Sequence, residues 1–219
     1  MMLRHSLLVA ALALIAACDQ DPNEPTGTAL VRFVNAAPGT EPLDVFSGST
    51  ALATGMTYGA VSACVEVPVG RKMDFKVGSN TVATLPVSFQ PNARHVVVLT
   101  RSAQGLAGVL PPRNTSAPGA SETRYQFFNA SERTVDLYIT EPGATLTTPN
   151  VPNIVPRAGT SFLGLPVGTN RVRINAPGST TTVYTDLNPV TFGSSRTAVT
   201  VFMEFPTNTF TTVSFEPCI

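Results

Sequence analysis

The side chains of this sequence that could do chemistry are three cysteines and one repeated aspartate. Cys18 follows two alanines, which leave room for a processing enzyme, and its thiolate is a nucleophile that an acyl donor can modify. Cys64 and Cys218 stand far apart in the chain and can either pair or remain as core residues. Asp44 and Asp136 lie at equivalent positions of two similar stretches. Each of these residues depends on a fold to position it.

The environment of Cys18 indicates an exported precursor. Arg4 provides a positive charge, and Leu7 to Ala17 is a run of apolar residues shorter than the roughly 20 that a membrane-spanning helix needs. The run ends in Ile15-Ala16-Ala17-Cys18, which looks like the lipobox of bacterial lipoproteins. Residues 1–17 are therefore predicted to be a signal peptide and Cys18 the lipidation site. The alternative is an ordinary secretory signal with a chance cysteine.

The segment after Cys18 is polar, acidic and rich in proline. Such a sequence buries too little apolar surface to fold, so residues 18–28 are predicted to be a flexible tether. The predicted location is the bacterial cell envelope, with the protein anchored to the membrane through its lipid and facing the periplasm or the cell exterior. The sequence leaves open which membrane holds it.

Composition and motifs argue against several classes of function. The formal net charge is zero and only 13% of the residues are charged, so nucleic acid is not a predicted partner. Beyond the signal peptide His95 is the only histidine, and no known nucleophile, zinc or phosphate-loop motif occurs. We therefore predict no enzymatic activity, no catalytic residue, no metal site and no cofactor.

Two cysteines remain once Cys18 is lipidated. In an oxidising compartment Cys64 and Cys218 can form a disulfide. Against pairing, Cys218 lies next to the chain end, and Cys64 aligns with the apolar Phe162 of a second similar stretch. Both interpretations, a disulfide and a buried core residue, stay open at this stage.

The chain contains one pattern written twice. Val31-Arg32-Phe33-Val34-Asn35-Ala36 returns as Tyr125-Gln126-Phe127-Phe128-Asn129-Ala130, and Val67-Pro68-Val69-Gly70 returns as Leu165-Pro166-Val167-Gly168. Short alternating apolar stretches separated by turn residues follow each copy, and no helical period occurs. We predict an all-β fold of two tandem immunoglobulin-like antiparallel β-sandwich domains, residues 29–112 and 124–219, joined by a linker over 113–123. A barrel is the alternative architecture.

The residues of the first copy resemble a known family. Val31 to Ala36, the stretch Leu43-Asp44-Val45, the turn Pro68-Val69-Gly70 and the late run Val96 to Leu99 are similar to the bacterial domain of unknown function 4397 (DUF4397). The resemblance implies an exported, often anchored β domain, frequently in tandem copies, and no catalytic residues. It departs from the family where Asn35 and Asn129 replace a usual histidine.

The sequence leaves several roles open for the two domains. Asp44 and Asp136 are candidates for contact with a cation or polar ligand. The alternative, which the sequence favours, is that each carboxylate is solvated or accepts a hydrogen bond from a nearby backbone N–H. The first predicted role is structural or partner-binding, without catalysis. The alternatives are a glycan- or small-ligand-binding module, with the proline-rich insertion Pro142 to Pro156 as its contact element, and a poorly supported exported hydrolase. The partner is an unknown protein or glycan.

Overall fold

A computed structural model describes residues 26–86, 89–112, 118–206 and 208–218. Within these ranges the chain forms strands, turns and loops, and it contains no helix. No described segment is a helix of the length and apolarity needed to cross a membrane. The predicted signal peptide, Cys18, most of the predicted tether and residues 113–117 of the predicted linker lie outside the described residues.

The first unit is built from two four-stranded sheets. Its strands are β1 (Thr28–Asn35), β2 (Leu43–Ser47), β3 (Thr50–Met56), β4 (Val65–Pro68), β5 (Met73–Val77), β6 (Asn80–Leu85), β7 (Arg94–Ser102) and β8 (Gly105–Val109). Inner sheet 1 has the order β4-β1-β7-β8, and outer sheet 1 has the order β3-β2-β5-β6.

The second unit has the same strand order. Its strands are β9 (Glu122–Asn129), β10 (Val135–Thr140), β11 (Val151–Ile154), β12 (Leu163–Pro166), β13 (Gly168–Asn175), β14 (Val183–Phe192), β15 (Arg196–Glu204) and β16 (Phe210–Phe215). Inner sheet 2 has the order β12-β9-β15-β16, and outer sheet 2 has the order β11-β10-β13-β14. The all-β fold of two sandwich-like units is therefore as predicted, although β11 lies inside the proline-rich insertion.

Each inner sheet contains one parallel pair of strands. β1 runs parallel to β7, with Phe33 opposite Val97, and β9 runs parallel to β15, with Phe127 opposite Thr200. The other strand pairs are antiparallel. The sequence predicts antiparallel sandwiches, and this prediction misses the parallel pair in each inner sheet. Local turn signals encode hairpins, whereas parallel neighbours come from segments far apart in the chain.

Side chains alternate between two apolar layers along the inner strands. In β1, Val31 and Phe33 point into the core of the first unit, while Val34 points to the opposite face. In β9, Phe127 points into the core of the second unit and Phe128 to its opposite face. Side chains alternate between the two faces along a strand, and here the residues on both faces are apolar, so each inner sheet is apolar on both faces.

The second apolar face of each inner sheet packs against that of the other. The buried residues of this inter-unit cluster are Val34, Ala36, Val96, Val98, Phe128, Ala130, Val199, Val201 and Met203. The molecule is consequently a stack of four sheets in the order outer sheet 1, inner sheet 1, inner sheet 2, outer sheet 2. The two outer sheets present their remaining faces away from this stack.

Candidate functional site

Both sequence-predicted aspartates accept backbone hydrogen bonds from an irregular neighbouring strand. Asp44 Oδ1 accepts from the N–H of Gly55, and Asp136 Oδ1 accepts from the N–H of Asn153, each at 2.7 Å. Gly55 and Asn153 have φ angles of 66° and 53°, and the strand register shifts beside each aspartate. Asp136 Oδ2 also accepts from the N–H of Gly178 at 2.7 Å. Each carboxylate therefore holds a β-bulge in place. These bonds are of the kind that the sequence favours as the alternative to ligand contact, a hydrogen bond from a nearby backbone N–H.

Asn35 and Asn129, noted from the sequence only as departures from the family pattern, are fully buried. Asn35 Nδ2 donates to the carbonyl of Met56 at 3.2 Å, and Asn129 Nδ2 donates to the carbonyl of Ile154 at 2.9 Å. Each side-chain oxygen accepts from the backbone N–H two residues ahead, at 3.2 and 3.1 Å. These amides tie the end of an inner strand to an outer sheet, so their role is structural.

Cys64 and Cys218 are joined by a disulfide that links the two units. Their Cα atoms are 5.7 Å apart. Close by, Arg32 Nη1 of the first unit donates to the carbonyl of Glu216 at 2.5 Å. The end of the chain is thus fixed to the first unit by a covalent and a polar contact.

The outer face of outer sheet 2 is polar but largely hidden from solvent. Its cross-strand pairs are Asp136–Asn175, Tyr138–Arg173 and Thr140–Arg171. Arg173 is 8% exposed, while Tyr138 and Asn175 are still more buried. We call this surface, with the loop 141–150 and the turn 176–182 that cross it, the covered face.

Hydrogen bonds connect the covered face to both of its covering segments. Arg173 Nη2 donates to the carbonyl of Ala144 in the loop and to Thr140 Oγ1, both at 3.1 Å. Asn175 Nδ2 donates to the carbonyl of Ser179 in the turn at 2.9 Å. The end of the loop is fixed where Asn150 Oδ1 accepts from the N–H of Ile139 at 2.6 Å.

Two polar atoms of the covered face are buried without a hydrogen-bond partner. They are Arg173 Nε and Asn175 Oδ1. Asp186 lies opposite Arg173 on β14, but its Oδ1 accepts from Arg171 Nε at 2.9 Å. Among the described residues no carboxylate lies within ion-pair distance of Arg173. Burial lowers the pKa of Arg173, the like charge of Arg171 lowers it further, and the opposite charge of Asp186 partly offsets both effects. Arg173 is therefore a buried cation whose hydrogen-bond partners, Thr140 Oγ1 and a carbonyl, are neutral, and the carboxylate opposite it on β14, that of Asp186, is bonded to Arg171.

The corresponding surface of the first unit differs in charge and in covering. Asp44 lies opposite Lys76, and Phe46 lies opposite Asp74, so Asp74 takes the place of Arg173 and Phe46 that of Tyr138. Asp74 Oδ1 accepts from Thr84 Oγ1 at 2.8 Å, and the Lys76 ammonium lies 4.5 Å from the centre of the Phe46 ring. Only a two-residue turn separates β2 from β3 here. These side chains have partners and no loop covers them.

Other chemically notable residues lie in structural positions. His95 packs its ring 4.7 Å from that of Phe89. Phe205, 37% exposed at the tip of a hairpin in the second unit, contacts Tyr58 of the first unit with ring centres 4.5 Å apart. In the part of the chain that the structure describes, no three histidine, cysteine, aspartate or glutamate side chains group to hold a metal ion.

Comparisons with known proteins identify a family and a distant structural likeness. A family model described as "Domain of unknown function (DUF4397)" matches residues 29–140, just over half of the chain, from β1 through β10. No curated protein matches the sequence. A crystal structure of a CBM26-family module from Eubacterium rectale Amy13K in complex with maltoheptaose is similar over 88% of this chain and 98% of that chain, at 10% identity and a TM-score of 0.29. At this TM-score the likeness supports no statement about ligands.

Proposed function

The chain belongs to the DUF4397 family, and we propose that it is a non-enzymatic, lipid-anchored protein of the bacterial cell envelope. In this proposal Cys18 carries the lipid and residues 18–28 form the tether. The second unit is a second copy of the family domain. The two units act as one rigid body that presents its outer surfaces to a protein or glycan partner. The apolar contact between the two inner sheets carries the rigid pairing of the units, and the lipobox-like stretch Ile15 to Cys18 supports the anchor.

The composition of this contact supports a permanent association of the two units. Val34 and Val98 of the first unit and Phe128 and Val201 of the second are at most 1% exposed. Burying apolar area contributes roughly 25 cal/mol per Å², and separating the units would return this area to water. A hinge between the units would therefore have to break a core-like contact.

The polar residues that both copies share support a role without catalysis. Asp44 and Asp136 bind backbone N–H groups at bulges, and Asn35 and Asn129 connect sheets. Groups held in this way maintain the fold and have little freedom to transfer protons or attack a substrate. Chromogenic ester, glycoside and peptide substrates should accordingly show no turnover above that of heat-unfolded protein, and turnover that needs the folded chain would contradict the proposal.

Anchoring can be tested by labelling cells with a radioactive fatty acid. The wild-type protein should incorporate the label and fractionate with membranes, whereas Cys18→Ala should remain an unlabelled precursor. The matched control is a Cys64→Ser/Cys218→Ser double variant, which retains Cys18 and should keep the label. Label on the Cys18→Ala protein would reject the proposed anchor.

A second candidate function, binding of a small ligand or glycan, is favoured by one observation. The proline-rich insertion lies over a polar face that holds a buried arginine, Arg173, whose Nε has no hydrogen-bond acceptor. The first unit, which lacks both the insertion and this cation, has no comparable face. This candidate is compatible with anchoring and concerns the second unit alone.

A further inference from the structure

We propose that the covered face is a binding site for a hydroxylated carboxylate, the chemistry of a sugar acid, with Arg173 as the group that recognises the carboxylate. The proposal deepens the second candidate function and rests on it. It does not depend on the anchor or on the rigid pairing of the units.

The charge of Arg173 points to an anionic ligand. A cation that is removed from water is costly unless an opposite charge or several hydrogen bonds compensate it. Here two arginines share one carboxylate: Asp186 lies opposite Arg173 but is hydrogen-bonded to Arg171, and the oxygens that Arg173 itself bonds are neutral. Its Nε donor, which has no acceptor, lies on a planar group whose geometry matches a carboxylate. A bound carboxylate would supply both the missing charge and the missing acceptor.

The neighbours of Arg173 point to hydroxyl groups on the same ligand. Asn175 Oδ1 is buried with no donor, and a ligand hydroxyl can provide one. Arg173 and Asn175 are two residues apart on one strand, so their side chains emerge on the same face about 7 Å from each other. The phenol of Tyr138, opposite Arg173, contacts the Ser179 carbonyl only at 3.5 Å and can also bond a ligand. A single molecule with one carboxylate and several hydroxyls can meet these groups together.

The loop 141–150 provides the means of access. Leu146 is its one buried residue, and residues 141–145, 147 and 148 are exposed. Its contact with the site is the bond from Arg173 to the carbonyl of Ala144, which a carboxylate can replace. We expect the loop to move aside while its end stays attached through Asn150.

The test is a calorimetric titration of the purified full-length protein with D-galacturonate, D-glucuronate and D-mannuronate, and with the neutral sugar D-galactose. At least one of the acids should bind, and galactose should bind at least about tenfold more weakly than galacturonate if galacturonate is the acid recognised. Arg173→Met should reduce the affinity for the acid at least about tenfold. The Arg171→Gln/Asp186→Asn double variant, which removes the adjacent ion pair as a unit and frees no carboxylate opposite Arg173, should change it less than threefold.

A stability measurement separates a ligand-binding arginine from a structural one. Because unliganded Arg173 is buried and shares the single carboxylate of Asp186 with Arg171, Arg173→Met should unfold at a temperature equal to or above that of the wild type. If Arg173→Met fails to fold, Arg173 is structural and the proposal is overturned. Arg173→Lys, which keeps the charge but loses the planar fork, should fold and bind the acid more weakly than the wild type.

The other possible results of the titration test the carboxylate assignment, the location of the site and the proposal as a whole. Equal binding of galactose and galacturonate, both lost in Arg173→Met, would retain ligand binding at this face and overturn the carboxylate assignment. Binding of an acid that Arg173→Met leaves unchanged would overturn the site. Failure of all three acids to bind would overturn the proposal, whereas the anchoring experiment would be unaffected.

Discussion

Removing the Cys64–Cys218 disulfide should destabilise the whole two-unit body and not one unit alone. The bond connects the segment before β4, at the edge of inner sheet 1, to the segment after β16, at the edge of inner sheet 2. It therefore spans the apolar contact between the inner sheets. A Cys64→Ser/Cys218→Ser double variant removes this connection and leaves each unit with its own core.

The size of the effect follows from the length of chain that the bond closes. The two cysteines are separated by 154 residues, and closing a loop of this length restricts the unfolded chain by about 5 kcal/mol on the chain-entropy model. Native disulfides typically contribute about 2–5 kcal/mol, so the calculated figure is the upper end. For a body of this size, such a loss corresponds to a fall in unfolding temperature of roughly 5–20 °C.

Differential scanning calorimetry of residues 26–218 would measure this fall. The double variant should show a lower unfolding temperature, and a reducing agent should lower the wild-type temperature to the same value while leaving the variant unchanged. Hydrogen exchange should report faster exchange in β1 and β15 of the variant, because their shared apolar layer opens more often. Equal unfolding temperatures for the oxidised wild type and the variant, or two free thiols by mass spectrometry, would refute the reasoning.

Three further predictions concern stability and association. Asp136→Ala should lower the free energy of unfolding in urea by about 2–4 kcal/mol, against about 1 kcal/mol for Asp44→Ala, because Asp136 holds two backbone N–H groups and is more buried. Equal losses would contradict this account of the bulges. Residues 29–112 produced alone should self-associate in analytical ultracentrifugation through the exposed second face of inner sheet 1, and a stable monomer would contradict it. Arg171 holds the pKa of Asp186 below its usual value of 3.8, so the ion pair stabilises the fold above that pH. This stabilisation is lost as the pH falls through the lower pKa of the folded state. The Asp186→Asn variant lacks the pair and should therefore lose less stability than the wild type on acidification, and identical acid unfolding curves would contradict this.

The sequence predicts most of the strands because their signals are local, but it misses β3 and β11. The alternation at Val31 and Phe33 marks β1, and the turn at Pro68 to Gly70 marks the end of β4. The run Val96 to Leu99, noted in the sequence as part of the family pattern, lies in β7, and an uninterrupted apolar run of this kind is also typical of burial on both faces. The four-sheet stack depends on which faces meet after folding, and no local signal specifies that.

The candidate site is less accessible to sequence reasoning. The equivalence of Asp44 and Asp136 is visible in the repeated pattern, but the bulges that explain it depend on the left-handed backbone of Gly55 and Asn153. Arg173 attracts no notice in the sequence, because an arginine within a strand is ordinarily solvated. Its burial results from the loop that crosses it. The one signal that could identify it is the change from Asp74 to Arg173 between equivalent strands.

The arrangement of the sheets explains why the two units differ where they do. An inner strand is packed on both faces, so a change in its side chains must satisfy a domain core and the inter-unit contact together. Each outer sheet packs against the core of its unit on one face, and its other face meets no other sheet; in outer sheet 2 that face is covered by the loop 141–150 and the turn 176–182. It is on that face that Asp74 and Arg173 differ, and beside it that loop 141–150 replaces a two-residue turn. A stack built on two inner sheets of the same strand order thus leaves its two outer faces independent, and a binding function is expected on one outer face before anywhere else.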